Sequence, residues 1–193
     1  MKKVVIIRNN NLKKIYRKIY FYRLLRLFKT EFILKIENNA NLSKEDKEIL
    51  NNIINILNSK TRKHKYNLIY DYACDYLDNQ FISKNLCGFK NNMCSCNREK
   101  EKTKQVSSCC ESLKTRKICE HFDNKRKTCS IKSLGCKLFV CPHLRKKKIN
   151  YPIRKIPYLN YFLSPRQRAI CITSIFQDKD ITVDKFLKPY KMP

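Results

Sequence analysis

The segment "SKEDKEILNNIINILN", residues 43–58, carries the clearest structural signal in this chain. Its apolar residues recur at spacings of three and four, which places them on one face of a helix. That face consists of Ile49, Leu50, Ile53, Ile54, Ile56 and Leu57. Ser43 can cap the first turn, and Asp46, three residues later, can reach back to it, as in a capping box. The segment therefore predicts an amphipathic helix that buries one face.

Two more helices are predicted, one on each side of the cysteine-rich part of the chain. The first covers residues 66–77, where apolar side chains again recur at helical spacing. It carries Cys74, which is either a small buried residue or a member of the cysteine cluster that follows. The second opens with "SPRQRAICITSIF", residues 164–176, in which Ser164 and Gln167 have the spacing of a capping box.

The last predicted helix also carries a cysteine, Cys171, which lies on its apolar side. Isolated cysteines are among the most buried residue types, so we interpret Cys171 as a core residue. Residues 151–163 precede this helix and contain two prolines, and we expect them to form an extended connector. Residues 149–193 are thus predicted to be a connector and a helix that pack on the cysteine-rich module.

Residues 1–36 are predicted to form a basic, amphipathic helical arm. From Leu12 to Phe28 the apolar residues are spaced at three or four, and the predicted helix covers residues 11–36. A basic amphipathic helix can lie on a membrane surface or on nucleic acid, whereas a stripe at helical spacing usually packs on a core. The candidate nucleic-acid contacts in the arm are Lys14, Arg17, Lys18 and Arg26.

Lysine and arginine dominate the charge of the chain, since 43 of these residues against 16 Asp and Glu give a net charge of +27. Such a field attracts nucleic acid or other anionic partners through counterion release. The abundance of Lys, Asn and Ile beside only two glycines is also typical of AT-rich genomes. Part of the charge is then explained by composition alone, and both explanations stay open.

The first residues contain no export signal or membrane span that we recognise. Their longest apolar runs, residues 4–7 and 19–22, have four residues each. A signal peptide needs about 7 to 15 apolar residues and a spanning helix about 20. We therefore predict a cytoplasmic protein without a transmembrane segment, in which thiols stay reduced.

The chain has eleven cysteines, and nine of them lie between residues 87 and 141. These nine are the predicted metal ligands: Cys87, Cys94, Cys96, Cys109, Cys110, Cys119, Cys129, Cys136 and Cys141. A disulfide framework is the alternative, but it is typical of short secreted chains, and reduced thiols in a cytoplasmic chain more often bind metal. Cys74, His121 and His143 are possible additional ligands or partners of ligands.

The spacing of the cysteines bears on which metal they bind. Structural zinc sites usually take two pairs of ligands with two to four residues between partners. Only Cys136 and Cys141 have such a spacing, so a zinc finger or ribbon is disfavoured while an irregular zinc site is not. Iron–sulfur clusters accept ligands scattered through loops, and a ligand cysteine followed by proline, as at Cys141, ends bacterial ferredoxin runs. The predicted cofactor is therefore an iron–sulfur cluster or zinc.

The order of these cysteines resembles that of a family of bacterial cysteine-rich proteins described as zinc- or iron-chelating. The match lies in the adjacent pair at 109 and 110 and in "ICEHFDNKRKTCSIKSLGCKLFVC", residues 118–141. By this resemblance Cys109 and Cys110 correspond to the family's double cysteine, and Cys119, Cys129 and Cys136 to the three cysteines that follow it. The family's tightly spaced upstream cysteines are more widely spaced here, and "SLG" replaces its Arg-Pro. The resemblance implies metal binding and no particular reaction.

The sequence offers little support for catalysis. His64 lies in a basic stretch and is expected to be solvated, and with two glycines no glycine-rich phosphate loop can form. Asp71, Asp75 and Asp78 recur at helical spacing, which an exposed helix face explains more simply than paired catalytic carboxylates. We leave catalysis open and favour a role without it.

Together these signals predict a mainly α-helical protein whose helices flank a loop-rich, cysteine-ligated metal module. The chain divides into residues 1–36, a helical pair at 37–86, the module at 87–148 and residues 149–193, expected to form one compact unit. The predicted function is metal binding with a structural, redox-sensing or electron-transfer role. The alternative is a nucleic-acid-binding regulator whose basic surface is shaped by the metal module. It would also use Lys146 and Lys147, with Tyr151, Tyr158 and Tyr161 for base stacking.

Overall fold

The structure of the protein is a computed structural model. It describes residues 2–8, 11, 14–18, 21, 30–37, 40–83, 86, 88, 95, 98, 122–123, 125, 128–129, 132–140 and 142–189. Within these residues the protein is mainly helical, which confirms the predicted class. Most of the predicted loop-rich module lies outside them.

Two strands, β1 (Lys2–Ile7) and β2 (Glu31–Ile36), form a parallel two-stranded sheet. Val5 and Phe32 on its inner face are buried. Parallel neighbours require a long crossover, commonly a helix, and residues 14–18 within this crossover are helical. The amino-terminal part of the chain is therefore a strand, crossover and strand.

This sheet corrects the predicted helical arm. Helical spacing holds at residues 14–18, where Ile15 and Tyr16 are buried. The predicted helix over residues 11–36 is wrong at its carboxyl end, because Glu31–Ile36 is a strand. The pairing of this segment with residues far away in sequence decides its structure, and local spacing does not contain that information.

The outer edge of β2 is covered by an asparagine side chain. Asn58 Nδ2 donates to the Phe32 carbonyl oxygen at 2.8 Å, and the Phe32 N–H donates to Asn58 Oδ1 at 2.8 Å. The amide thus takes both hydrogen bonds that another strand would take at this position. Such cover protects an edge strand from pairing with another chain.

Two helices form the centre of the described structure: α1 (Lys44–Asn58) and α2 (Arg62–Ser83). The prediction for α1 is confirmed, since all six residues of the predicted face are buried. Its start is confirmed as well, because the Asp46 N–H donates to Ser43 Oγ at 3.0 Å. The Asp46 carboxylate in turn accepts from the Ser43 hydroxyl at 2.7 Å.

Short elements follow in the cysteine-rich region. Strands β3 (Phe122–Asp123) and β4 (Thr128–Cys129) pair antiparallel, and helices α3 (Leu134–Leu138) and α4 (Pro142–Lys146) come next. The carboxyl-terminal elements are a 3₁₀ turn at Ile153–Lys155 and helices α5 (Pro157–Phe162), α6 (Pro165–Thr173) and α7 (Lys179–Leu187). The predicted cap of α6 is confirmed, since Ser164 and Gln167 form both bonds of a capping box.

The predicted extended connector is wrong, because residues 151–163 contain the 3₁₀ turn and α5. Five of its apolar or aromatic side chains are buried in the main core: Ile156, Tyr158, Leu159, Phe162 and Leu163. Pro157 starts α5 at its first turn, where the missing N–H costs nothing. Because Tyr158 is 2% exposed, it cannot stack on a base as we predicted.

A single cluster of buried apolar residues joins the sheet, α1, α2 and the carboxyl-terminal helices. Tyr66 of α2, for example, packs edge-on against Phe186 of α7, with ring centroids 5.6 Å apart. None of the helices in the described part of the chain combines the length and apolar content that crossing a bilayer requires.

Candidate metal centre

Most of the predicted ligands lie outside the residues that the structure describes. Seven of the nine cysteines, together with His121, lie outside the described residues. They are Cys87, Cys94, Cys96, Cys109, Cys110, Cys119 and Cys141. Cys129 and His143 are described by their backbone alone, at the end of β4 and within α4. Among these nine cysteines, Cys136 is thus the one whose side chain the structure describes.

Cys136 lies on α3 with its side chain half-buried, and it takes part in no disulfide. Its Sγ accepts the Phe176 N–H at 3.2 Å. Phe176 adopts a φ of 57°, a left-handed conformation that is uncommon for a bulky residue. Hydrogen bonds of this kind to ligand sulfurs help set the reduction potentials of iron–sulfur clusters. The surroundings of Cys136 therefore fit a metal ligand.

Cys74 has very different surroundings. It is fully buried within α2, and its thiol donates to the Lys132 carbonyl oxygen at 3.0 Å. Burial raises the pKa of the Cys74 thiol well above its usual range, and the charge of Lys137 offsets this only in part. Metals bind the thiolate, which these surroundings disfavour. The geometry therefore favours the interpretation of Cys74 as a core residue.

Cys171 lies in the core on α6, as predicted. Burial raises the pKa of the Cys171 thiol to about 12. Cys74 and Cys171 therefore form a pair of buried thiols with which the half-buried Cys136 can be compared.

The segment that carries Cys136 is anchored between α2 and α6. The Leu134 N–H donates to the Tyr70 hydroxyl oxygen at 2.8 Å, inside the core. Ser133 Oγ donates to the Ser174 carbonyl oxygen at 3.2 Å. Gly135 packs so closely on the same backbone that an added Cβ would lie 2.5 Å from the Ser174 carbonyl carbon and oxygen. These contacts fix the position of α3, and hence of Cys136.

Ion pairs reinforce this anchorage from the acidic face of α2. Lys132 Nζ lies 2.9 Å from Asp75 Oδ1, and this hydrogen bond raises the pKa of Lys132. Lys137 pairs with Asp78, and here the side chains are only 6% and 20% exposed. The third acid, Asp71, pairs with Lys179 at the start of α7 at 2.9 Å. We predicted an exposed acidic face; Asp75 is exposed, Asp71 and Asp78 are half-buried, and all three carboxylates bind lysines from later parts of the chain.

The candidate nucleic-acid contacts are partly confirmed as surface residues. Lys14, Arg17, Lys18, Lys146 and Lys147 are exposed, whereas Arg26 lies outside the described residues. Of the tyrosines predicted to stack on bases, Tyr151 and Tyr161 are half-buried.

Comparisons of the chain with protein-family models, curated proteins and solved structures found no match. The resemblance to zinc- or iron-chelating proteins therefore stays a prediction. Within the described residues, no three His, Cys, Asp or Glu side chains are grouped closely enough to hold a metal ion.

Three residues that position Cys136 carry no signal in the sequence that points to this role. Tyr70 was counted only as part of a helix, and neither Ser174 nor Phe176 carried any signal. Phe176 and Ser174 act through their backbone, which a sequence pattern does not mark. A buried tyrosine usually has a hydrogen-bond partner, so Tyr70 could have been expected to bind some polar group but not which one.

Proposed function

We propose that this chain binds a metal, as an iron–sulfur cluster or as zinc, through cysteines of the segment from Cys87 to Cys141. The observation that carries the proposal is the state of Cys136: a half-buried sulfur outside any disulfide that accepts an N–H from a neighbouring loop. The clustering of nine cysteines in this segment supports it. The role would be structural, redox-sensing or electron-transferring.

The donor set suits either cofactor. Thiolate sulfurs are the preferred ligands of iron–sulfur clusters and of structural zinc. An iron–sulfur cluster would supply one-electron redox chemistry, whereas zinc would supply a structural cross-link. Cys129 lies in β4 and Cys136 in α3, so two described elements of the module would each supply a ligand.

The contacts of α3 give Cys136 a distinct part in this proposal. Because hydrogen bonds to Tyr70 and Ser174 hold α3 on the core, the sulfur of Cys136 has a fixed position. Metal binding and folding are coupled in sites whose ligands are mobile without metal. A ligand that is already positioned reduces the conformational entropy lost on binding. Cys136 would therefore contribute strongly to affinity.

Three alanine variants test this assignment. We expect Cys136→Ala to lower the apparent metal affinity at least about tenfold, because even residues that only support a ligand contribute ~10–100-fold. Cys74→Ala and Cys171→Ala are the matched controls, since both remove a buried thiol and should leave the bound metal unchanged. The measurement is metal per chain during titration with a competing chelator, on protein purified without oxygen. Equal metal retention in all three variants would exclude Cys136 as a ligand.

A further inference from the structure

The chain contains a long segment without any acidic residue. From residue 124 to residue 177 there are thirteen Lys and Arg and no Asp or Glu. Any ion pair formed by these cations must therefore use a carboxylate from elsewhere in the chain. Among the described cations of this segment, some form an ion pair with a carboxylate and others do not.

Two lysines of this segment form ion pairs with carboxylates of α2. Lys132 pairs with Asp75 and Lys137 with Asp78, and both pairs hold α3 on α2. Five other cations are exposed and form no ion pair within the described part of the chain: Lys146, Lys147, Lys148, Arg154 and Lys155. We call these five residues the basic ridge. Five like charges within ten residues repel one another, so they need a partner of opposite charge or remain a cost in stability.

Two backbone hydrogen bonds hold the amino-terminal end of the basic ridge. The Ile149 N–H donates to the Leu144 carbonyl oxygen and the Lys148 N–H to the Arg145 carbonyl oxygen, both at 2.9 Å. These two bonds form a Schellman motif, which ends α4 with Lys148 in the left-handed conformation at a φ of 55°. Leu144, at 1% exposure, anchors the turn in the protein interior.

The position taken by Lys148 is one that glycine usually occupies. A residue with a Cβ is strained in the left-handed region, by roughly 1–2 kcal/mol. The strain gives no packing benefit to the lysine side chain, since this side chain is exposed. At the other end, Arg154 and Lys155 lie on the 3₁₀ turn, so that two short ordered elements carry three of the five cations, Lys146, Arg154 and Lys155.

We propose that the basic ridge is a binding surface for the phosphate backbone of nucleic acid. Closely spaced lysines and arginines neutralise successive phosphates and release their counterions, which gives a salt-dependent affinity without base specificity. The proposal goes beyond metal binding and does not depend on it. It assigns the interaction to five exposed residues that are close in sequence, whereas the net charge of the whole chain does not.

An anionic membrane is the competing partner, and the surface fits it less well. Segments that bind membranes combine cations with apolar side chains that enter the lipid. The exposed large apolar side chains in the described part of the chain are Val4, Phe21, Ile33, Ile172, Ile175, Phe176 and Ile181. None of them lies within residues 142–155. Within the described residues, the segment that carries the ridge thus combines exposed charge with no exposed large apolar side chain, which suits a phosphate backbone.

Two triple variants test this surface. One changes Lys146, Lys147 and Arg154 to glutamine, and its control changes Lys44, Lys47 and Lys60, which are also exposed. Both remove three positive charges, so only the location differs. Binding of labelled single-stranded RNA, single-stranded DNA and duplex DNA, each roughly 20 nucleotides long to exceed a single-domain site, is measured by fluorescence anisotropy. The salt concentration is varied over about 50 to 200 mM.

We expect the ridge variant to bind single strands about 25- to 100-fold more weakly at 0.1 M salt. This loss corresponds to two or three lost phosphate contacts, each of which contributes about 0.7 to the slope of log affinity against log salt. The control variant should keep both affinity and slope. The comparison of RNA with DNA identifies the preferred nucleic acid, and either preference supports the proposal.

Lys148→Gly provides a second variant with an unusual combination of effects. Glycine relieves the left-handed strain, so the melting temperature should rise, while the loss of one cation should weaken nucleic-acid binding about fivefold at 0.1 M salt.

Three results would overturn the proposal. They are no binding at 50 mM salt, equal losses in the ridge and control variants, or ridge-dependent binding to phosphatidylserine vesicles without binding to oligonucleotides.

Discussion

Replacing Lys137 by alanine should lower the free energy of unfolding by about 3 kcal/mol. The ammonium group of Lys137 pairs with Asp78 where the two side chains are 6% and 20% exposed. Removing one partner of a buried pair leaves an uncompensated charge in a region of low dielectric, which costs about 3–5 kcal/mol. We expect the lower end of this range because Asp78 keeps some contact with water. Urea denaturation followed by circular dichroism gives the value.

Lys132→Ala is the matched control for this measurement. It breaks an ion pair with the same helix, but the side chains of Lys132 and Asp75 are 48% and 52% exposed. Exposed pairs contribute about 0–1 kcal/mol, so this variant should be nearly as stable as the wild type. If both variants lost the same small amount, the Lys137–Asp78 pair would not anchor α3. A Lys137→Ala/Asp78→Ala double variant should lose less than the sum of the single losses.

Gly135→Ala should destabilise the protein by about 1–3 kcal/mol, the usual cost of overpacking a close contact. Helix propensity alone predicts the opposite sign, since alanine is better than glycine in a helix by about 1 kcal/mol. Steric conflict decides the outcome because the new Cβ would lie 2.5 Å from the Ser174 carbonyl carbon and oxygen. These are backbone atoms, which cannot rotate away as a side chain can.

A substitution at an exposed position of a helix measures helix propensity without the steric conflict expected at Gly135. Asn51 is exposed within α1, and Asn51→Ala should be neutral or slightly stabilising. Thermal unfolding of both variants beside the wild type separates the two contributions. A melting temperature for Gly135→Ala at or above that of the wild type would show that α3 and Ser174 are not in close contact.

The parts of the fold that sequence predicted well have local causes. The start of α1 depends on Ser43 and Asp46, and that of α6 on Ser164 and Gln167, pairs of residues three positions apart. The buried face of α1 follows from helical spacing, which is equally local. Cap and periodicity are visible within a few residues of sequence, so these elements could be predicted before the structure was known.

The parts that sequence missed depend on distant partners. Strands β1 and β2 pair across the crossover between residues 8 and 30, and Asn58 covers the edge of β2 from another element. The lysine partners of the α2 carboxylates could not be predicted, because they are 57 to 108 residues away in sequence. The absence of acids from residues 124–177 was the available clue, since its internal lysines could pair only with acids elsewhere.

For the candidate metal centre, sequence predicted which residues would be ligands but not how their side chains are placed. The number and clustering of the cysteines marked the module, and the solitary position of Cys171 marked it as core. Sequence placed Cys136 among the ligands but left Cys74 open between a ligand and a core residue, because helical spacing alone does not show what surrounds a thiol. Burial and the direction of the sulfur hydrogen bond separate them, since Cys74 donates to a carbonyl and Cys136 accepts an N–H.

The central claim is that cysteines of residues 87–141 hold a metal, and elemental analysis with visible absorption tests it most directly. The protein is purified without oxygen or chelator, and metal and acid-labile sulfide are measured per chain. We expect stoichiometric iron with sulfide and a coloured sample, or stoichiometric zinc and a colourless one. A folded sample that contains neither element in stoichiometric amount would contradict the claim.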